Sequence, residues 1–82
     1  MGIGSKVSER DIEFIAKGVH EAWQQERTRQ GWKYGETTDR ARKTHESMIP
    51  YEDLTEDEKD LDRRTVKQVI EMLVSLGYRI EK

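Results

Sequence analysis

The sequence predicts a mainly α domain, built as two long antiparallel helices joined by an ordered loop, with short helical turns and at most a short C-terminal strand. Three observations carry that expectation. Apolar residues recur at steps of three and four in two separate segments, each of which opens on a capping signal and closes at a glycine. Between them runs a polar stretch with no period.

Ser8, followed three residues later by Asp11, marks the start of the first helix, because the hydroxyl can accept from an orphan amide of the first turn. Ile12, Ile15, Ala16, Val19, Ala22 and Trp23 then gather on one stripe. Gly31 is placed to end the helix in a left-handed conformation, after about 20 residues and ~30 Å of length. Gly31-Trp32-Lys33-Tyr34-Gly35 sets two of the six aromatic residues between two glycines, and is expected to be the hinge of the hairpin and the wall of a binding site.

From Glu36 to Met48 charge and hydroxyl groups dominate, with one helical turn expected near Asp39-Arg40-Ala41. The loop exceeds the usual connection of about 4–6 residues, and long loops are often functional. Thr37, Thr38, Thr44 and Ser47 are expected as exposed hydroxyls; Arg42 and Lys43 before Thr44 form a weak phosphorylation pattern of a common kind. Pro50 holds Ile49 away from helical angles, and Glu52-Asp53-Leu54 should form a short turn packing Tyr51 and Leu54 inward. Thr55 with Glu58 is a full capping box, which starts the second helix at Glu56. Leu61, Val66, Val69, Ile70, Leu73 and Val74 trace its buried face, Gly77 stops it, and Tyr78 can pack back on Leu73. Tyr78-Arg79-Ile80 alternates as a short edge strand would. Residues 1–7 show no period and read as a flexible lead-in, which leaves 8–82 as a single domain.

Composition narrows the function. Fifteen basic against seventeen acidic residues give a net charge of −2, so no global field favours a nucleic acid polymer or an anionic membrane. The distribution is less even: residues 52–62 carry seven acids and one base, and residues 33–45 carry four bases and two acids. Solvated faces and an acid-rich helix start explain most of this, and a basic loop near the aromatic cluster that meets an anionic ligand is the sharper alternative. The chain has no cysteine, no apolar run near the ~18 residues of a membrane span, and no signal-peptide core at Met1–Ser8, so a cytoplasmic location is expected. Two histidines 25 positions apart make no zinc site, the acidic run lacks the EF-hand pattern, and no phosphate loop or nucleophile–base spacing appears. Neither an enzyme nor a resident cofactor is expected.

His20-Glu21-Ala22-Trp23, Gly31-Trp32-Lys33-Tyr34-Gly35, Lys43-Thr44-His45, Ile49-Pro50-Tyr51-Glu52-Asp53-Leu54-Thr55-Glu56-Asp57-Glu58-Lys59 and Leu76-Gly77-Tyr78-Arg79-Ile80 together resemble the ryanodine-receptor repeat, or RyR domain, of the single bacterial type. The match spans roughly residues 12–81. Two departures stand out. Glu46 replaces the family's proline after the loop histidine, and Asp62, Arg63 and Arg64 stand where the family often has a tryptophan. The resemblance implies a mainly helical binding or scaffolding module; similar repeats come as tandem pairs in the cytoplasmic part of animal calcium-release channels, and two copies of this one are expected to associate in the same way.

On that basis the expected function is a non-catalytic interaction module that binds a small anionic or nucleotide-like ligand in an aromatic cleft formed by paired repeats. Trp32 and Tyr34 would supply stacking faces, His20, Trp23 and Tyr51 would surround them, and Arg40, Arg42 and Lys43 would face a phosphate. Plain structural roles compete at each aromatic: His20 as a half-buried side chain, Trp23 as core, Trp32 as a plug between the helices. The alternative is a purely structural unit that forms a homodimer or docks on a host protein, with no small-molecule site.

Overall fold

The computed structural model describes residues 7–82. The expected lead-in therefore lies, but for Val7, outside the described residues. Helix α1 spans Glu9–Arg29 and helix α2 spans Glu56–Ser75, with strands β1 (Lys33–Tyr34) and β2 (Thr44–His45) and a 3₁₀ turn at Tyr51–Asp53 between them. The helices run antiparallel, since Glu9 pairs with Lys67 and Glu13 with Arg63.

Both helices begin and end as the capping residues dictate. The Ser8 hydroxyl accepts from the Asp11 amide at 3.0 Å, and Thr55 and Glu58 form a reciprocal capping box at the start of α2. Each C-terminus closes in the same six-residue pattern. At the end of α1 the Trp32 amide donates to the Arg27 carbonyl and the Gly31 amide to Thr28, while at the end of α2 Tyr78 donates to Leu73 and Gly77 to Val74. Gly31 and Gly77 take φ of 95° and 100°, the left-handed region this motif needs.

Burial is narrower than the apolar stripes imply. Ile12, Ala16, Tyr51, Leu54, Val66 and Ile70 form the buried cluster, with Val7, Ile49 and Ile80 packed against it. Of the expected α1 stripe, Ile15 and Val19 are largely exposed, Ala22 is exposed and Trp23 is half-buried, while His20 takes a buried position. On α2, Leu61, Val69 and Leu73 are exposed, leaving Val66, Ile70 and the half-buried Val74 inside. The cause is geometric: two helices cover one another along a single seam, so the outer half of each wide apolar stripe faces outward.

The loop corrects a second expectation. No strand forms at Tyr78-Arg79-Ile80; the short strands lie within the connection, where β1 and β2 pair in parallel with Lys33 opposite Thr44 and Tyr34 opposite His45. The loop circles back through a turn at Asp39, whose carboxylate accepts from the Ala41 and Arg42 amides at 3.0 and 3.2 Å. Thr44 and Ser47 are half-buried rather than exposed: the Thr44 hydroxyl donates to the Thr37 carbonyl and the Ser47 hydroxyl to Glu58. Side-chain bonding to nearby loop acceptors holds both inward.

Arg63 fastens the seam. Its guanidinium makes a two-pronged pair with Glu13 at 2.6 and 3.1 Å and reaches Asp60 at 2.5 Å, which holds the Glu13 carboxyl below its ordinary range. Beside this pair the buried Tyr51 hydroxyl has no hydrogen-bond partner among the described residues. Burial, and then the neighbouring Glu13 carboxylate, push that phenol up to about 12.

Two predictions come from this packing. Tyr51→Phe removes an unpaired buried hydroxyl and leaves the ring in place, so denaturant unfolding should show no loss of stability or a gain of up to about 1 kcal/mol. A Cβ at Gly35 would stand 2.5 Å from Thr44 Cβ. Gly35→Ala should therefore force β1 from β2 and cost about 1–3 kcal/mol by the same measurement, with amide shifts centred on Thr44 and His45.

Candidate binding site

Where the loop meets both helices, a cavity of about 310 Å³ opens to solvent. Helix α1 supplies Val19, His20 and Trp23; β2 and the residues after it supply His45 and Ser47; the first half of α2 supplies Glu58, Leu61, Asp62 and Thr65, with Leu54 from the preceding turn. The α2 groups arrive together because Glu58 and Asp62, and Leu61 and Thr65, each stand four residues apart on one helix.

His20 is the most enclosed of the polar groups, with 5% of its surface exposed. Its Nε2 donates to the Ile49 carbonyl at 2.7 Å, so in the neutral ring the proton sits on Nε2 and Nδ1 is an acceptor. Among the described residues Nδ1 has no hydrogen-bond partner. The ring stacks on Trp23 at 5.6 Å between centroids, and Trp23 in turn meets the His45 ring edge-on at 5.0 Å. His45 Nδ1 accepts from the Ser47 amide at 3.0 Å, which leaves Nε2–H as its donor. Trp32 completes the row of rings, 6.4 Å from His45, with the Arg27 guanidinium 5.0 Å from its centroid.

The two carboxylates differ in their commitments. Glu58 accepts from the Ser47 hydroxyl and from the Thr55 amide and hydroxyl, and these bonds, Ser47 first, hold its carboxyl below the ordinary value. Asp62 has neither a hydrogen bond nor an ion pair to another described residue, and burial raises its carboxyl above the ordinary range, against the opposing pull of His20. No lysine or arginine lines the cavity. Among the described residues no three His, Asp or Glu side chains converge on a metal position, and no helix is long and apolar enough to cross a membrane.

The structure divides the residues singled out in the sequence. His20 and Trp23 line the cavity together. Tyr51 lies in the core behind them, its ring 6.2 Å from His20 and 3% exposed. Trp32 borders the cluster through His45 without lining the cavity, and Tyr34 is exposed on β1. Arg40 and Arg42 point from the loop surface, and Lys43, at φ 57°, donates through Nζ to the Gln30 carbonyl at the end of α1. None of these three bases lines the cavity. His45, Ser47, Glu58 and Asp62 were the missed members. The signal for Glu58 and Asp62 is their four-residue spacing from the capping box onward, hidden inside a run of acids that reads as a solvated face, and no spacing marks His45 or Ser47.

Fold and cavity together define a small helical-hairpin domain whose loop folds back over one end of the helix pair. The family model for the RyR domain matches residues 5–82, and the chain belongs to that family.

Glu58 links the site to stability. Its folded value lies below the ordinary 4.5, so its contribution is complete above that value and is lost as pH falls through the folded value. Glu58→Gln should cost about 1 kcal/mol at pH 7 through the weakened cap. The gap between variant and parent should close in acid, as read from unfolding midpoints across a pH series.

Proposed function

We propose that this RyR domain is a non-catalytic binding module whose recognition element is the cavity formed by His20, Trp23, His45 and Asp62. The observation that supports it is a buried histidine that lines an open, aromatic-walled cavity while one of its ring nitrogens has no partner among the described residues. An acceptor with no partner among the described residues, beside open space and an aromatic wall, favours a ligand contact. Planar groups suit the Trp23 and His45 rings, and base stacking on an aromatic is worth about 1–3 kcal/mol. A nucleotide-like ligand would stack there only with its phosphate held outside the cavity, because Glu58 and Asp62 occupy the interior and no lysine or arginine lines it.

A second reading, pairing with another repeat or a host protein without any ligand, is favoured by a different observation. Ile15 and Val19 on α1, and Leu61, Val69 and Leu73 on α2 with Leu76 at its C-cap, recur at helical spacing and are all exposed. Val19 and Leu61 also form the rim of the cavity, so a paired repeat would cover its mouth.

Amide-resolved NMR titration with nucleotides and small organic ions, alongside solution mass across concentration, separates the two. The binding reading expects shifts centred on His20, Trp23, His45 and Asp62 at a protein concentration where the mass is constant. Mass that doubles with concentration, with shifts confined to Val69, Leu73 and Leu76 and none from any added compound, would leave only the pairing reading.

A further inference from the structure

The polar groups that face the cavity are weighted to one kind. His20 Nδ1 is an acceptor, Asp62 is a carboxylate with no partner among the described residues, and Glu58 presents a second carboxylate. Two ring donors, His45 Nε2–H and the Trp23 indole N–H, stand against these three, and no lysine or arginine among the lining residues balances the carboxylates. Aromatic and aliphatic walls complete the enclosure: the Trp23 ring on α1, the buried Leu54, and the exposed Val19 and Leu61. A cation beside an indole gains from the ring's negative face, and a carboxylate next to it adds a charge-assisted hydrogen bond. An alkyl stem suits Val19 and Leu61, as the stems of lysine and arginine lie along apolar surface while their heads reach polar partners.

From this we infer that the cavity takes the head group of an alkylammonium or alkylguanidinium ion, with Asp62 as its principal counter-charge. The inference rests on the binding reading above and specifies its ligand as a cation rather than an anion. The same chemistry is carried by a free amine and by a lysine or arginine side chain of a partner. Asp62 is the deciding group because Glu58 is already engaged by Ser47 and Thr55, whereas Asp62 has no hydrogen bond or ion pair to another described residue and only the nearby His20 ring opposes its charge.

The test is an NMR titration of the full chain with butylguanidinium and butylammonium, against adenosine monophosphate as the anion and butyramide as the neutral analogue. The two cations should shift the Trp23 indole and the His20, His45 and Asp62 amides, with affinity falling as potassium chloride is raised. Asp62→Asn should weaken cation binding about tenfold or more without changing the unfolding midpoint greatly, since Asp62 makes no bond the fold uses. The salt series on the parent chain keeps the test independent of that variant. Blocked arginine amide binding more tightly than butylguanidinium would assign the site to a protein side chain, and equal affinity would assign it to a free amine. If adenosine monophosphate or butyramide shifts the same amides as strongly as the cations, and Asp62→Asn changes nothing, the charge assignment is wrong while the cavity stands as a binding site. Should no compound move those amides at all, the binding reading falls with it.

Discussion

A two-helix hairpin has one seam, and the amount of side chain that seam can bury sets every other feature of this domain. Along it the chain places Ile12 and Ala16 against Val66 and Ile70, with Ala16 small enough to be fully covered and to let the helices approach. Burial of this extent is modest for a chain of 82 residues, so the ends and edges of the helices carry an unusual share of the order. Two glycine-closed termini satisfy orphan carbonyls, two hydroxyl caps satisfy orphan amides, and Arg63 joins Glu13 across the seam. The third side of the seam is filled by the Pro50–Leu54 turn, which lowers Tyr51 and Leu54 into the cluster.

Local chemistry of this kind is written in single residues, and it was legible. Ser8, Gly31, Thr55 with Glu58, and Gly77 marked the helix limits from the sequence, and the turn at Tyr51 followed from Pro50 and the apolar residues beside it. Which half of each apolar stripe would be covered was not legible. Ile15 and Val19 are as apolar as Ile12, and only the angle at which α2 lies on α1 separates the buried residue from the exposed ones. The strand pair was equally hidden, because two residues on each side carry too little pattern to be seen and the close contact of Gly35 with Thr44 depends on the path of the loop.

The site shows the same division. His20 and Trp23 are legible because they stand three apart on one helix, Trp23 on the apolar stripe and His20 at its edge. The basic loop residues drew attention for their charge, yet Lys43 turns back to the end of α1 and Arg42 lies near Asp39, so their charges meet local partners. His45 enters the site through its pairing with Tyr34 on β1, a tertiary relation no spacing records. Asp62 reads as one more acid in an acidic run, and its distinction is environmental: it is the acid there that lines the cavity with no hydrogen bond or ion pair to another described residue.

Folding and recognition meet in the first turns of α2. The capping box requires a carboxylate at Glu58, and once that group is fixed by Thr55 and Ser47 it holds β2 and the loop against the helix. One turn later, Asp62 occupies the same face with no such duty. A negatively charged, partly desolvated group costs stability unless something answers it, and among the described residues only the His20 ring opposes this charge, with no hydrogen bond or ion pair formed. The domain thus carries a charge that its own packing does not need, next to an aromatic wall and a histidine acceptor that its core does not use. An uncompensated group of that kind is a cost to the isolated chain and an asset to a complex, since the binding of a cation would return the solvation that folding removed.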